Sequence, residues 1–471
     1  MTDPTGSADE ADNGLDPTSL RDADDNLNPL WLERLERLVA AEDGDALAQM
    51  LDGLHNSDLG DVLESLQPEL RAPLIRLLGD RFDYAALTEV DESVRAALME
   101  EIPDAEIARG VAALDNDDAV YILEDIDEPD REAILAQLPA FERLVLKRSL
   151  DFPDESAGRR MQTEFIAIPP FWTVGQTIDY LRAQPDLPDE FYQLYVVDPG
   201  YKLLGIIPLD RFLRSKRDVK IADLMHGNVI TVKATEDQEE VAREFERYDL
   251  VEVGVVDETD RLVGVLTIDD IVDVIHEEAT EDMQRLAGVG DEEVSDGLWS
   301  AVRSRSTWLV VNLITAVLAS YVIGMFNATI EQMVALAALM PIVASMGGNA
   351  GTQAMTVTVR AIAMRELDGR RLMRLVYREI GVGAVNGVIF AVLIAVITAL
   401  RYANWELGVV IGLAMIVNMI VAGTVGILIP LGLNKLKIDP AIASSVFVMT
   451  ITDVVGFFAF LWLAAIWFGL L

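Results

Sequence analysis

Residues 439–460 read DPAIASSVFVMTITDVVGFFAF, an apolar run whose interior carries one charge, Asp453. A helix of about 20 such residues spans a bilayer of ~30 Å. An aspartate at its centre costs roughly 2.5 to 3.5 kcal/mol on insertion scales, so a cation, a partner or water must satisfy it. No His, Lys or Arg lies deep in any apolar stretch to pair with it. That favours an ion pathway over a protonated Asp453 hydrogen-bonded to a neighbouring helix. Thr450 and Gly456 stand one turn before and one turn after, leaving room on the carboxylate's face for a wide, hydrated ion. Asp439 lies 14 residues earlier, about 21 Å along a helix. It reads equally as the cytoplasmic mouth of that pathway and as a helix N-terminal acid.

Upstream, charges thin out from Ser306 onward and leave five stretches long enough to span a membrane: 306–330, 332–359, 380–400, 407–434 and 440–471. They predict a five-helix, all-α transmembrane domain over 306–471. Arg360, Arg365, Arg370, Arg371, Arg374 and Arg378 crowd one connection and Lys435 and Lys437 another, whereas the remaining loops hold Arg401 alone. The basic loops belong inside, which makes the chain a multi-pass protein of the inner (plasma) membrane with its N-terminus cytoplasmic and its C-terminus outside. The second stretch contains PIVASMGGNAGTQ, residues 341–353. Pro341, Gly347, Gly348 and Gly351 suggest a broken helix where Asn349 and Gln353 line a water-filled path. Close helix packing through small residues is the alternative.

Composition divides the chain in two. Of 78 acidic residues, 71 precede residue 300, against 26 of the 37 basic ones, and the net charge is −41. Such an excess repels nucleic acid and attracts divalent cations; it also suits a protein dissolved in high salt. There is no cysteine, which removes disulfides, thiolate metal sites and cysteine catalysis. Only His55, His226 and His276 are present, all outside the spans, so an intramembrane zinc protease lacks its ligands. No Walker motif is present, and no enzymatic activity is expected. Residues 1–29, polar and acidic, read as a disordered tail without the apolar core of a signal peptide.

Two segments repeat at a spacing of 59: YVVDPGYKLLGIIPLDRFL at 195–213 and GVVDETDRLVGVLTIDDIV at 254–272. Each reads as strand, polar turn, strand and helix start. They resemble tandem α/β cystathionine-beta-synthase (CBS) domains, here 161–222 and 223–283. In such pairs a Ser/Thr followed three residues later by Asp commonly meets an adenosine ribose, and Thr267 with Asp270 fits, whereas the first copy has Pro208 and Arg211 there. Residues 30–150 are helical in pattern, and SDLGDVLESLQPELR at 57–71 aligns with DDAVYILEDIDEPDR at 117–131 at a spacing of 60. This suggests a small superhelical module. After the second CBS unit, Asp270, Asp273, Glu278, Glu281 and Asp282 crowd one helical stretch, where like charges destabilise the helix unless cations screen them. A connecting helix is expected over 284–305, with irregularity near Gly288 and Gly290.

Four signatures, FPDESAGRRM at 152–161, EEATEDM at 277–283, SMGGNAGTQ at 345–353 and TITDVVGF at 450–457, resemble the MgtE magnesium channel family in this domain order. The resemblance implies a membrane-embedded homodimer with a central magnesium pore, closed when cytosolic magnesium binds between acidic domains and a plug helix. It implies that Asp453 holds hydrated magnesium and that Asp439 meets the plug. Asp117, Asp249, Asp270, Asp273, Glu278, Glu281 and Asp282 match its sensing carboxylates, and ATP at Thr267 and Asp270 is a further expectation. Tyr121 departs from the pattern, standing where a second aspartate is usual. Oxygen ligands alone leave cobalt, manganese and calcium as alternative cargo, and an adenine-nucleotide sensor with a membrane anchor is a second class of reading.

Overall fold

The computed structural model describes residues 19–470 except 23, 125, 186, 189, 290–296, 365, 366 and 368, and it omits the side chains of 442–444. Its contacts divide the chain into two units, Met1–Glu277 and Glu278–Leu471.

The first unit opens with short helices, from Pro29–Ala40 to Ala140–Leu150. Helices of 8 to 12 residues are marginal alone, so their stability comes from packing. Asn28 and Asp43 cap the first two by accepting backbone N–H bonds. The 60-residue repeat is structural: helix Asn56–Ser65 corresponds to α1 (Asn116–Glu124), and Leu63 and Leu123 are both fully buried. The expected tail is shorter than 1–29. Arg21 bridges to Leu27 and pairs with Asp58 and Asp61, which ties residues 19–28 to the module; residues 1–18 lie outside the described ones.

Among the described residues six strands follow in two sheets: β1 (Ala167–Ile168), β2 (Gln193–Val197) and β3 (Leu203–Pro208), then β4 (Thr231–Lys233), β5 (Glu252–Val256) and β6 (Leu262–Thr267). In each, the middle strand pairs parallel with the first and antiparallel with the third. The irregularity at Val196/Val197 recurs at Val255/Val256, 59 residues on. Both middle strands are buried along their whole length, which suits their apolar residues after the first; that first residue, Gln193 or Glu252, is polar and buried as well. Tyr195, Val197, Leu262 and Val265 join the two sheets.

Helix α2 (Ile268–Ala287) starts directly after β6 and ends where Gly288 takes φ +74°. The expected helix over 284–305 is therefore corrected: α2 supplies its beginning, and residues 298–305 already belong to α3 (Leu298–Gly324). Gly290 lies outside the described residues. The second unit continues with α4 (Ala335–Ala363), α5 (Gly369–Tyr402), α6 (Trp405–Lys435) and α7 (Pro440–Trp467). Among the described residues α3, α5, α6 and the Ser445–Trp467 part of α7 are long and apolar enough to cross a membrane. Helix α4 has 29 residues but is diluted by its glycines, Asn349 and Gln353. The expected break at 341–353 is absent: α4 runs unbroken through Pro341 and GGNAG. Its glycines serve close approach instead, since a Cβ on Gly351 would lie 2.6 Å from Val448 Cγ1. Helix α6 is the central one, buried along much of its apolar length, whereas α3 is largely exposed.

Candidate functional site

The interior polar groups of the second unit are held by helix packing. Asp453 is half-buried on α7, and among the described residues no hydrogen bond or ion pair reaches its carboxylate. The Thr450 hydroxyl donates to the Val446 carbonyl at 2.6 Å. Gly456 is buried, not open to a path: a Cβ there would lie 2.7 Å from the amide nitrogen of Asn418 on α6. On α4 the face formed by Val343, Gly347, Gly351 and Ala354 is buried, while Ser345, Asn349 and Gln353, four residues apart, are exposed on another.

Asp439 is at once a helix cap and an ion-pair partner. Its side chain caps α7 by accepting from the Ala441 N–H at 2.8 Å, and Arg285 of α2 pairs with it at 2.9 Å. Arg285 also pairs with Glu281. The end of α2 is docked further by Leu286, which packs with Met355, Val359, Ala441 and Val448. Two expected metal carboxylates, Glu281 and Asp439, thus share a guanidinium supplied by the chain itself.

In the first unit the fold brings the start of α1 to the start of α2. Asp117 is buried and Asp118 half-buried. Burial, then the neighbouring Asp118, pushes Asp117 up to about 7, and burial, then Asp270, does the same to Asp118. Asp270 is held well above the ordinary aspartate range by burial and by Asp117, although it accepts the Thr267 hydroxyl at 2.7 Å. Burial followed by Glu89 raises Asp273. Asp249 stands apart, exposed in the left-handed cap of helix Gln238–Tyr248 at φ +51°. Glu278, Glu281 and Asp282 follow along α2, half-buried. Among the described residues no three such side chains converge as a metal cage.

Tyr121 lies beside this cluster with Arg95 at 4.3 Å and Arg160 at 4.8 Å from its ring. Its hydroxyl donates to Glu277 at 3.2 Å, and Arg160 pairs with Glu277 at 3.2 Å and Glu124 at 3.3 Å. The FPDESAGRRM segment supplies that arginine, and its neighbour Arg159 is buried against Glu124 and Asp154.

The chain matches the divalent cation transporter profile over 340–463, the MgtE intracellular N domain over 54–155 and the CBS domain over 221–277. It is 30% identical to the Magnesium transporter MgtE of Bacillus subtilis (strain 168), over 86% of this chain and 90% of that one. The chain belongs to the MgtE family of magnesium transporters. The MgtE of Thermus thermophilus is likewise 30% identical, over 90% and 95% of the two chains. Solved structures similar to it include the soluble part of a magnesium transporter, with TM-score 0.46, 29% identity and coverage of 53% of this chain and 98% of that one. Another is the cytosolic domain of the Mg2+ channel MgtE in complex with ATP, with TM-score 0.48, 28% identity and coverage of 52% and 99%. With its apolar helices, this MgtE chain is a multi-pass membrane protein. Sequence reasoning missed Asp118, Glu277, Arg285 and Asn418. The signal for Asn418 was present, a lone amide in the middle of an apolar run, as for Asp453.

Proposed function

We propose that this MgtE protein is a homodimeric magnesium channel of the plasma membrane, N-terminus inside and C-terminus outside, that cytosolic magnesium closes. The observation that carries the reading is that Asp453 on α7 is half-buried and Ser345, Asn349 and Gln353 on α4 are exposed: polar groups on apolar helices of a single chain. Lipid offers them nothing, so a second copy around a water-filled path is their fitting environment, with α4 as the fifth spanning helix. Magnesium sheds water reluctantly, and two symmetry-related Asp453 carboxylates would recognise the hydrated ion by charge and size, with Thr450 beside them. The buried Gly456 acts as a helix contact in this scheme.

Closure follows from the acidic cluster. Without magnesium, Asp117, Asp118, Asp270 and Asp273 repel one another; bound ions screen them, while Glu278, Glu281 and Asp282 extend the screened surface along α2 and Asp249 adds an exposed carboxylate at the cap of helix Gln238–Tyr248. Nucleotide binding at Thr267 and Asp270 would have to displace their mutual hydrogen bond, so ATP would compete with magnesium there. The test is magnesium flux into proteoliposomes of known orientation as cytosolic-side magnesium is raised. Wild type should close as magnesium rises, whereas the triple variant Asp270→Asn, Asp273→Asn, Glu278→Gln, having lost both repulsion and ligands, should show a flux that no longer depends on cytosolic-side magnesium. Unaltered closure in the variant would contradict the sensing role.

A further inference from the structure

Asn418 lies near the middle of α6, fully buried where α4, α6 and α7 meet. Its amide nitrogen donates to the Val343 carbonyl of α4 at 2.8 Å. Its oxygen has no donor among the described residues. The side chain fits only because Gly347 of α4 and Gly456 of α7 flank it: a Cβ on Gly347 would lie 2.8 Å from Asn418 Cγ, and one on Gly456 2.7 Å from Nδ2. Gly456 is one turn from Asp453, and Gly347 is two residues from Asn349.

An unmet oxygen in an apolar helix bundle is costly, because no water is at hand to satisfy it. Leucine has nearly the same shape and would leave no polar atom exposed to that cost, so packing alone does not account for an amide here. What the amide adds is a directional tie from α6 to one carbonyl of α4, with α7 seated against the same group. We propose that Asn418 is a positioning residue of the ion pathway, fixing the spacing of α4 and α7 at which Asp453 and the polar face of α4 select hydrated magnesium over other hydrated divalent cations. The inference rests on the reading of Asp453 as an ion-pathway residue.

The test compares cobalt and magnesium flux in proteoliposomes of the full-length protein, with wild type and Asp453→Ala alongside. Asn418→Leu keeps the shape and loses the tie, and its cobalt-to-magnesium ratio should rise by about tenfold, the effect of one buried hydrogen bond left unmade. Asn418→Asp is an isostere that donates to Val343 only while protonated; its ratio, taken relative to wild type at the same pH, should be normal in acid and rise with pH. If Asn418→Leu fails to assemble, the pH dependence of Asn418→Asp decides by itself. Wild-type ratios in the assembled variants at every pH, with flux abolished in Asp453→Ala, would overturn the inference and leave the channel reading intact. Undiminished flux in Asp453→Ala would remove that reading and the inference with it.

Discussion

Tyr121 presents a ring held between two guanidinium groups, and its hydroxyl joins α1 to Glu277 of α2. Cation–π contacts of this kind contribute ~0.5 to 2 kcal/mol each. Tyr121→Ala should therefore cost about 2 to 4 kcal/mol with the cavity included, and Tyr121→Phe, which keeps the sandwich but loses the bond to Glu277, about 1 kcal/mol. Denaturant unfolding of the solubilised protein checks both, and equal losses would refute the sandwich. Asp117 and Asp118 behave differently. Burial holds both near 7, so their contribution to folding is full below the ordinary carboxylate range and is lost as pH rises through about 7. Magnesium bound there, as proposed, would displace those protons. It should raise the melting temperature more at pH 8 than at pH 6, and Asp118→Asn should flatten that difference.

At the scale of elements, Arg285 gathers Glu281 and Asp439 and pins the end of α2 to the start of α7. Arg285→Gln should leave flux at low magnesium unchanged and make closure incomplete, measured as residual flux at saturating cytosolic-side magnesium; full closure would make the pair ornamental. The CBS strands were legible because apolar runs repeat at a spacing of 59, and the helical module was legible from its own repeat at 60. The GGNAG run was misread as a break because the same glycines encode close approach, and the residues that decide, Asn418, Val448 and Gly456, lie far along the chain. The connecting helix was misplaced because α2 grows directly from β6, with Thr267 and Asp270 joined at its start. Charge pattern singled out the acidic stretch of α2 but not the neighbouring Asp118 of α1. It did not predict that Arg285 would occupy one end of it.

Across the whole molecule, the proposed magnesium-gated magnesium channel accounts for an acidic N-terminal unit and an apolar helical unit with an unmet aspartate. The account stands or falls on Asp453, and magnesium flux into proteoliposomes of wild type and Asp453→Ala, with assembly and orientation verified, tests it most directly. It predicts robust wild-type flux at low cytosolic-side magnesium and flux reduced to background in the variant; equal flux in the two proteins would contradict it.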